Sequence, residues 1–288
     1  MNQAQDTFQI LSENQNGFLD YKIGVQAESI FPHSRVYLAD CMDLLKQTPD
    51  KYYCLACVDP PYGLGFDGHD QIIGEKGNDK GFSSKKLYDI KEWDKDRPAF
   101  EYFTELKRVS KNQIIWGGNY FADLLHPTKG WIYWDKKPNG VNLTFSDGEL
   151  AWTSFNKPLR AFSYGWIGFG MLNSGERKIH PTQKPISLYD WIYKNYLPQG
   201  GKVIDTHLGS GSNRIAANKA GNIDFTGFEL DLDYFNAQEK RWKQYISQTK
   251  LFDGNGVPLI SYQPQCDKGD TNTKDSQDGL LFQNLPQV

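Results

Sequence analysis

The sequence predicts an α/β fold in which helices cover both faces of a doubly wound, mostly parallel sheet of seven strands. Two observations support this prediction. Short runs rich in β-branched and aromatic residues alternate with helical patterns, and two of these runs end in motifs rich in proline or glycine. The predicted strands are 35–39, 52–59, 112–118, 131–136, 149–155, 202–206 and 224–230. The predicted helices are 41–48, 97–109, 186–196, 212–220 and 232–248.

One main domain with appendages is expected, because 288 residues with 39% hydrophobic content can bury one sizeable core. We place this domain at 35–250. Residues 1–34 have no clear period and form an N-terminal extension, and the polar tail 251–288 has the composition of a poorly ordered segment. The stretch 63–96 is polar, Gly-rich and Lys-rich, and is too long for an ordinary connection, which predicts a mobile functional loop.

Residues 1–10 lack the basic start and apolar run of a signal peptide, and no stretch approaches the about 18 apolar residues of a membrane span. We therefore expect a cytoplasmic protein without membrane contact. Of the four cysteines, Cys54 and Cys57 lie in a predicted strand, where residues three apart face opposite sides. No second Cys/His pair completes a zinc site, so we expect these two, Cys41 and Cys266 to be buried core thiols, with no bound metal.

Charge is distributed unevenly along the chain, although the formal net charge is only -3. Segment 129–184 has eight basic and four acidic residues, whereas 1–50 has three basic and seven acidic, and 251–288 has two and five. A basic centre between acidic ends is typical of a DNA-facing surface. Many solvated faces have the same composition, so the charge supports this interpretation without establishing it.

The first motif with a chemical meaning is Asp59-Pro60-Pro61-Tyr62, which follows an apolar run. In open α/β sheets, ligands bind outside the carboxyl ends of strands, where this motif is predicted to lie. The Asp59 carboxylate and Pro60 carbonyl could accept both hydrogens of an aryl amine, and Tyr62 could provide an aromatic face for a base. The alternative is a turn that the two prolines stiffen.

The second motif is an apolar strand that enters a Gly-rich turn before a helix, Val203–Ser212. Glycines such as Gly209 let the backbone approach a ligand, and the helix N-terminus favours an anion. Glu229, 24 residues after Asp205, is placed to accept the hydroxyls of a ribose. This pattern predicts a nucleoside site. An NAD site is disfavoured because Arg214 stands where its third glycine belongs, and no P-loop pattern occurs.

A third element is Asp40, at the end of the first predicted strand. Its carboxylate could accept a hydrogen bond from an adenine amine at a neighbouring strand end. Equally, it could be only the N-cap of the following helix.

These motifs together resemble those of the amino-methylating DNA methyltransferases, in the group whose catalytic motif precedes the cofactor motif. The resemblance covers about 35–245 and rests on Asp59–Tyr62, on 205–212 and on His180-Pro181-Thr182-Gln183-Lys184-Pro185. It implies a Rossmann-like methyltransferase fold, with S-adenosylmethionine as cofactor and Asp59, Pro60, Pro61 and Tyr62 as catalytic residues. The implied cofactor-binding residues are Asp40, Thr182, Lys184, Asp205, Gly209, Ser210, Gly211 and Glu229.

The resemblance also bears on the substrate. Asp in the first catalytic position favours N6 of adenine, because N4-cytosine members of this group more often begin with Ser. Thr206 and His207 depart from the family's usual Pro-Phe, so a noncatalytic nucleic-acid-binding subunit stays an alternative, as does methylation of RNA or protein. Methyltransferases of protein glutamine or ribosomal bases usually have the cofactor motif first, and their catalytic motif often reads Asn-Pro-Pro-Tyr. Here the order is reversed and the motif begins with Asp59.

We therefore expect an enzyme that binds duplex DNA through 129–184 and 63–96 and flips one adenine into its site. A small target-recognition segment is expected at 136–180. Neither a metal nor a covalent intermediate is required for this reaction. A homodimer is an open alternative to a monomer.

Overall fold

The computed structural model of the chain describes residues 10–13, 19–21, 34–65, 94–137, 146–166 and 174–249. The chain divides into a unit of Met1–Ile246 and a second unit of Ser247–Val288, which is described only as far as residue 249. None of the described helices is both long enough and apolar enough to cross a membrane.

The described strands form two sheets. In the smaller sheet, β1 (Ile10–Glu13) pairs antiparallel with β2 (Leu19–Tyr21). The strands of the main sheet are β3 (Ser34–Leu38), β4 (Tyr53–Val58), β5 (Ser110–Trp116), β6 (Trp131–Asp135), β7 (Gly148–Thr153), β8 (Arg160–Ser163), β9 (Gly201–Asp205) and β10 (Ile223–Glu229).

The main sheet has the order β3-β10-β9-β4-β5-β7-β6-β8. The first five strands in this order, β3, β10, β9, β4 and β5, are parallel to one another. β7 is antiparallel to both β5 and β6, and β8 is parallel to β6. The mostly parallel α/β sheet is thus confirmed, and all seven predicted strands occur in it. The predicted strand number was wrong, because β8 adds an eighth strand at the edge. Its sequence, RAFS, is short and largely exposed, so it lacks the apolar run that marks a strand.

Five α-helices are described, near the five predicted positions. They are α1 (Cys41–Leu45), α2 (Phe100–Val109), α3 (Ile186–Tyr196), α4 (Ser212–Ala220) and α5 (Leu232–Thr249). A 3-10 turn, Gly118–Phe121, follows β5. Local chemistry sets several helix ends. The Asp40 side chain accepts a hydrogen bond from the Met42 N–H at 2.9 Å and caps α1, and Gly221 ends α4 in the left-handed region.

Two hydrophobic cores lie on opposite faces of the sheet. In β4, Leu55 and Cys57 belong to one core and Ala56 and Val58 to the other, as the alternation of side chains along a strand requires. The first core is covered by α3 and α4, and the second by α1 and α2. Helices therefore pack on both faces, which confirms the doubly wound arrangement.

The cysteines follow the prediction in part. Cys41 and Cys57 are buried. Cys54 is only half-buried, so the prediction of a core thiol was wrong there. It lies near the start of β4, where its Sγ would be 2.7 Å from a Cβ added at Gly201. Cys266 lies outside the described residues. Within the described residues, no group of three or more His, Cys, Asp or Glu is arranged to hold a metal ion.

Most of the predicted appendages lie outside the described residues. These are 1–34 apart from β1, β2 and Ser34, most of the predicted loop (66–93), and the tail 251–288. Of the predicted recognition segment 136–180, the structure describes 136–137, 146–166 and 174–180. This part includes β7 and β8, which are strands of the main sheet.

Candidate active site

The sheet order creates a crevice between β4 and β9. The chain leaves β4 for β5 on one side, and leaves β9 for β10 on the other, so the connections diverge between these two neighbours. In open α/β sheets, such a switch point is where ligands bind, outside the carboxyl ends of the strands. Asp59 directly follows β4, and Asp205 is the last residue of β9. The two motifs found in the sequence therefore lie at the same crevice.

Register and hydrogen bonds place the two strand ends side by side. Ala56 of β4 pairs with Ile204 of β9, and neighbouring strands lie about 4.8 Å apart. The buried side chain of Asn213, in the first turn of α4, links them. Its Nδ2 donates to the Cys57 carbonyl at 3.1 Å and to Asp205 Oδ2 at 2.9 Å. We call the two sides of this crevice the Asp59 corner (Asp59, Tyr62, Glu149 and Lys184) and the glycine corner (Asp205, His207, Gly209, Asn213 and Glu229).

In the Asp59 corner, both carboxylate oxygens of Asp59 have partners. Tyr62 Oη donates to Oδ1 at 2.6 Å, and Lys184 Nζ donates to Oδ2 at 2.5 Å. The same ammonium lies 2.9 Å from Glu149 Oε2, and Lys136 pairs with the other oxygen of Glu149. Two carboxylates and two ammonium groups thus form one chain of alternating charge.

Burial and these charges act against each other on the pKa values. Burial raises the pKa of Asp59, and Lys184 opposes that rise. Burial would likewise raise the pKa of Glu149, but Lys184 and Lys136 outweigh it and lower that pKa to about 2. For Lys184, burial would lower the pKa, but Asp59 and Glu149 raise it. The ammonium therefore stays charged between the two carboxylates.

The backbone and ring of Tyr62 are fixed by separate contacts. The buried carboxylate of Asp94 accepts hydrogen bonds from the N–H groups of Tyr62 and Gly63, at 2.7 and 3.1 Å. Gly117 has a φ of 68°, and a Cβ there would lie 2.2 Å from Tyr62 Cε1, so only glycine leaves room for the ring. On the ring itself, Tyr120 stacks with a centroid distance of 5.0 Å.

The glycine corner holds its carboxylates with neutral donors. Asp205 Oδ1 accepts from the His207 N–H at 3.1 Å, and Oδ2 accepts from Asn213. Burial raises the pKa of Asp205 to about 8. Across the turn, the Glu229 carboxylate accepts from the N–H groups of Gly209 and Asp231 at 2.8 and 2.9 Å, and burial raises its pKa as well.

The turn between Asp205 and α4 depends on two glycines. Gly209 and Gly211 have φ values of 51° and 72°, which disfavour other residues. Arg241 of α5 fixes the turn from outside, because it donates to the Ser210 carbonyl at 2.8 Å. A Cβ at Gly209 would lie 3.7 Å from the ring of His180, so the segment before α3 passes beside this turn.

Thr182 and Lys184, in that same segment, lie in different surroundings. The exposed Thr182 has its hydroxyl 3.1 Å from His180 Nδ1, beside the glycine turn. The buried Lys184 instead reaches Asp59. One short stretch of chain thus contacts both corners of the crevice.

A cavity of about 260 Å³ lies next to the crevice. Its lining includes Asp40, Pro61, Tyr102 and His207, so the third sequence element joins the other two. Tyr102 Oη lies 2.6 Å from Thr206 Oγ1, which lies 3.0 Å from His207 Nδ1. Burial lowers the pKa of His207 to about 4, so the ring is neutral at pH 7. The unusual Thr-His pair therefore extends a hydrogen-bonded chain to the cavity wall.

Comparisons with known proteins support one family. A family model described as DNA methylase, of the N6/N4 methyltransferases, matches residues 126–240. The type II methyltransferase M1.MboII of Moraxella bovis is 24% identical, over 70% of this chain and 94% of that protein. M.HinfI of Haemophilus influenzae, also a type II methyltransferase, is 25% identical, over 71% and 67%. Residues 126–240 thus match the N6/N4 family of DNA methyltransferases, and both of these relatives are type II methyltransferases.

Among solved structures, the chain is similar to M1.HpyAVI in its complex with SAM. The TM-score is 0.46 and the identity 20%, and the match covers 72% of this chain and 98% of that one. Within the sequence, the family model covers 205–212 and 180–185. It does not reach Asp59–Tyr62, which lies before its first matched residue.

Three residues of this crevice were missed from the sequence: Glu149, Asn213 and Asp94. Glu149 starts an apolar run on β7 and resembles an ordinary solvated charge. Asn213 follows the Gly-Ser-Gly-Ser turn, so the sequence places it in the first turn of the predicted helix, beside the glycine turn. Asp94 lies in a polar, charged stretch where nothing distinguished it from its neighbours.

Proposed function

We propose that this methyltransferase uses S-adenosylmethionine to methylate N6 of adenine in duplex DNA, as a type II modification enzyme. The observation that carries the proposal is the adjacency of β4 and β9 at the switch point. An amine acceptor, Asp59, and a Gly-rich nucleoside turn after Asp205 thereby face the same crevice. Transfer of a methyl group needs its donor and acceptor within direct reach of each other.

The residues of the glycine corner suit this cofactor. Gly209, Ser210 and Gly211 leave the backbone of the turn open to close approach, as the positive φ values of both glycines allow. The Glu229 carboxylate, with two oxygens that can each accept a further bond, fits a ribose diol. When bound, S-adenosylmethionine would supply an electrophilic methyl group on a sulfonium, and its transfer to an amine would leave the C–S electron pair on the sulfur of the thioether product.

The remaining predicted cofactor residues surround these. Asp40, which lines the cavity, is proposed to accept a hydrogen bond from the adenine of the cofactor. Asp205 and Thr182 are proposed to bind its amino-acid end, with Lys184 at the junction of the two corners.

In the Asp59 corner, we propose that Asp59 and the Pro60 carbonyl accept the two hydrogens of the target amine. Among the described residues, no backbone N–H donates to the Pro60 carbonyl, which leaves it free for this role. Holding both hydrogens directs the nitrogen lone pair away from the ring system of the base. After the new N–C bond forms, one amine proton passes to the Asp59 carboxylate. Pro61 fixes the backbone, and the ring of Tyr62 provides a stacking face.

The target base must leave the helix to reach Asp59, so base flipping is part of the proposal. We propose that 129–184 and 63–96 contact the DNA and that target recognition involves 136–180, within a catalytic domain of 35–250. Adenine is favoured because Asp begins the catalytic motif. N4 of cytosine is the alternative, since its amine offers the same two hydrogens to the same two acceptors.

The test is to incubate purified protein and S-adenosylmethionine with unmethylated genomic DNA, then identify the modified nucleoside by mass spectrometry. N6-methyladenine supports the proposal, whereas N4-methylcytosine would replace the base assignment. No modified nucleoside would refute the activity.

Asp59→Ala should lower the rate of transfer by at least about a hundredfold, because it removes an acceptor from the amine. Calorimetric titration with S-adenosylmethionine should show nearly unchanged affinity, since Asp59 lies outside the glycine corner. Transfer at the wild-type rate would exclude the role of Asp59.

A further inference from the structure

The chain of charges behind Asp59 is more extensive than an amine acceptor requires. The side chain of Lys184 is 3% exposed and lies 2.5 Å from Asp59 Oδ2 and 2.9 Å from Glu149 Oε2. Glu149 belongs to β7, and Lys184 precedes α3, so two distant segments of the chain meet at this point. Lys136, after β6, completes the chain on the other oxygen of Glu149.

Buried ion pairs of this kind contribute little to stability. Removing charges from water costs about as much as their attraction returns, and apolar residues of the same volume are often equally stabilising. The position behind Asp59 therefore does not need an ammonium group for packing alone. What the ammonium does provide is a fixed positive charge that favours the ionised form of Asp59 against the effect of burial.

We propose that Lys184 and Glu149 are positioning residues for methyl transfer, in which Glu149 anchors Lys184 and Lys184 keeps Asp59 ionised and oriented. This inference rests on the proposed function of Asp59 as amine acceptor. It assigns the two oxygens of Asp59 different tasks. Oδ2 stays on the buried ammonium, and Oδ1, which accepts from the hydroxyl group of Tyr62 in this structure, is the oxygen that receives the amine hydrogen.

Other groups face Asp59 and contribute to its titration. Asp205 of β9 is a second carboxyl near Asp59 besides Glu149, and the charge of Asp59 adds to the rise in the pKa of Asp205. The remaining neighbours are neutral at pH 7, because burial raises their pKa values. They are Cys57, Tyr62, Tyr102 and Tyr189. Among the described residues, Lys184 is thus the positive charge that touches Asp59.

The direct test measures the pKa of Asp59 without any reaction. The full-length protein is labelled with ¹³C at aspartate side-chain carboxyls, and Asp59→Asn identifies the resonance. We expect Lys184→Met to raise the pKa of Asp59 by about 1–3 units, because it removes an opposite charge in contact. Glu149→Gln should move it the other way, because Glu149 is a like charge near Asp59.

A second measurement uses single-turnover methyl transfer as a function of pH. The rate should fall as Asp59 becomes protonated, so the acid limb should move to higher pH in Lys184→Met and to lower pH in Glu149→Gln. In both variants the maximal, pH-independent rate of transfer should also be lower, by up to about a hundredfold, because Asp59 loses its fixed orientation. Lys184→Arg keeps the charge and should leave the acid limb near its wild-type position.

Glu239→Gln is the matched control. Glu239 is a mostly buried carboxylate in contact with Arg214, and neither residue contacts Asp59. The variant loses a buried ion pair but should leave the pKa of Asp59 and the acid limb unchanged. Opposite shifts for Lys184→Met and Glu149→Gln, with none for the control, cannot come from general loss of structure.

An unchanged pKa of Asp59 in Lys184→Met would overturn the inference. If that variant fails to fold, Glu149→Gln decides, because an unshifted pKa there has the same meaning. The two proposals fail separately. A wild-type protein that methylates no DNA refutes the proposed function, whereas the titration by NMR still decides whether the chain of charges controls Asp59.

Discussion

Asp59 follows β4 and Asp205 ends the neighbouring strand β9, yet their side chains have different kinds of hydrogen-bond donor. Asp59 contacts a buried ammonium group, while the donors to Asp205 within the described part of the chain are a backbone N–H and an amide. Burial accordingly raises the pKa of Asp205 to about 8, whereas Lys184 opposes the same effect at Asp59. Two buried carboxyls at neighbouring strand ends thus differ in their partners, because an opposite charge counters the effect of burial at Asp59 but not at Asp205.

The largest effect is expected from breaking the link between the two corners. Asn213→Ala leaves Asp205 Oδ2, the Cys57 carbonyl and the hydroxyl of Tyr193 without their present partner. Each unsatisfied buried group costs about 1–3 kcal/mol, so the free energy of unfolding should fall by roughly 3 kcal/mol or more. Urea denaturation measures this loss.

The control for that variant is Asn195→Ala. Asn195 has an exposed amide that donates to the Trp191 carbonyl on the same helix. Its replacement should change the free energy of unfolding by less than about 0.5 kcal/mol. Equal losses for the two variants would show that Asn213 does not join the strands.

The next largest effect is expected from a substitution that changes the Asp59 corner alone. Gly117→Ala places a Cβ 2.2 Å from the ring of Tyr62, at a φ of 68°. Gly221→Ala has a similar φ of 76° but no neighbour within 4 Å, so it reports backbone strain without a clash. The excess loss for Gly117→Ala should be about 1–3 kcal/mol by urea denaturation, as for overpacking.

Activity sharpens this comparison. We expect Gly117→Ala to lower the rate of methyl transfer and to leave the affinity for S-adenosylmethionine near its wild-type value. Weaker cofactor binding with normal transfer would contradict the separation of the two corners.

A third effect concerns the pH dependence of stability in the glycine corner. The folded-state pKa of Asp205 is raised, so between pH of about 4 and 8 the folded protein binds a proton that the unfolded chain has lost. Stability from this group is therefore fully present at low pH and lost as the pH rises through about 8. The slope should approach about 1.4 kcal/mol per pH unit. Asp205→Asn should flatten it in denaturation measured from pH 5 to 8, and an equal slope in both proteins would exclude the effect.

The smallest effect belongs to an ion pair outside both corners. Lys46 and Glu101 lie 3.3 Å apart, and both side chains are more than half exposed. Lys46→Ala should change the free energy of unfolding by less than about 1 kcal/mol, because exposed pairs are screened by water. A loss comparable to that of Asn213→Ala would mean that surface charges matter more here than buried hydrogen bonds.

The fold was largely predictable because its strands and helices have strong local patterns. Seven strands and five helices follow from apolar runs and periodicity, and glycine marks the end of α4. The eighth strand could not be predicted in this way. The residues of β8 are mostly exposed, and its place is set by pairing with β6, which no local pattern records.

The residues of the candidate site likewise divide into those that a local sequence pattern marks and those that only the folded structure brings together. Asp59 and Glu229 were identifiable because each ends an apolar run and lies in or near a compact motif. Glu149 and Asp94 were not, because their roles arise only when distant segments meet at Asp59 and Tyr62. For Lys184, the segment was identified, but its contact with Asp59 depends on how that segment enters α3.

The position of β9 also constrains how the chain is made. β9 lies between β10 and β4 in the sheet. The edge of β4 that faces β9 therefore has no partner until Ile204 has been synthesised and can pair with Ala56. A growing polypeptide folds from its N-terminal side first, and an unpaired strand edge invites association with other chains. Until the ribosome has delivered β9, the motif Asp59–Tyr62 has no opposite wall. The chain therefore has an exposed strand edge during synthesis.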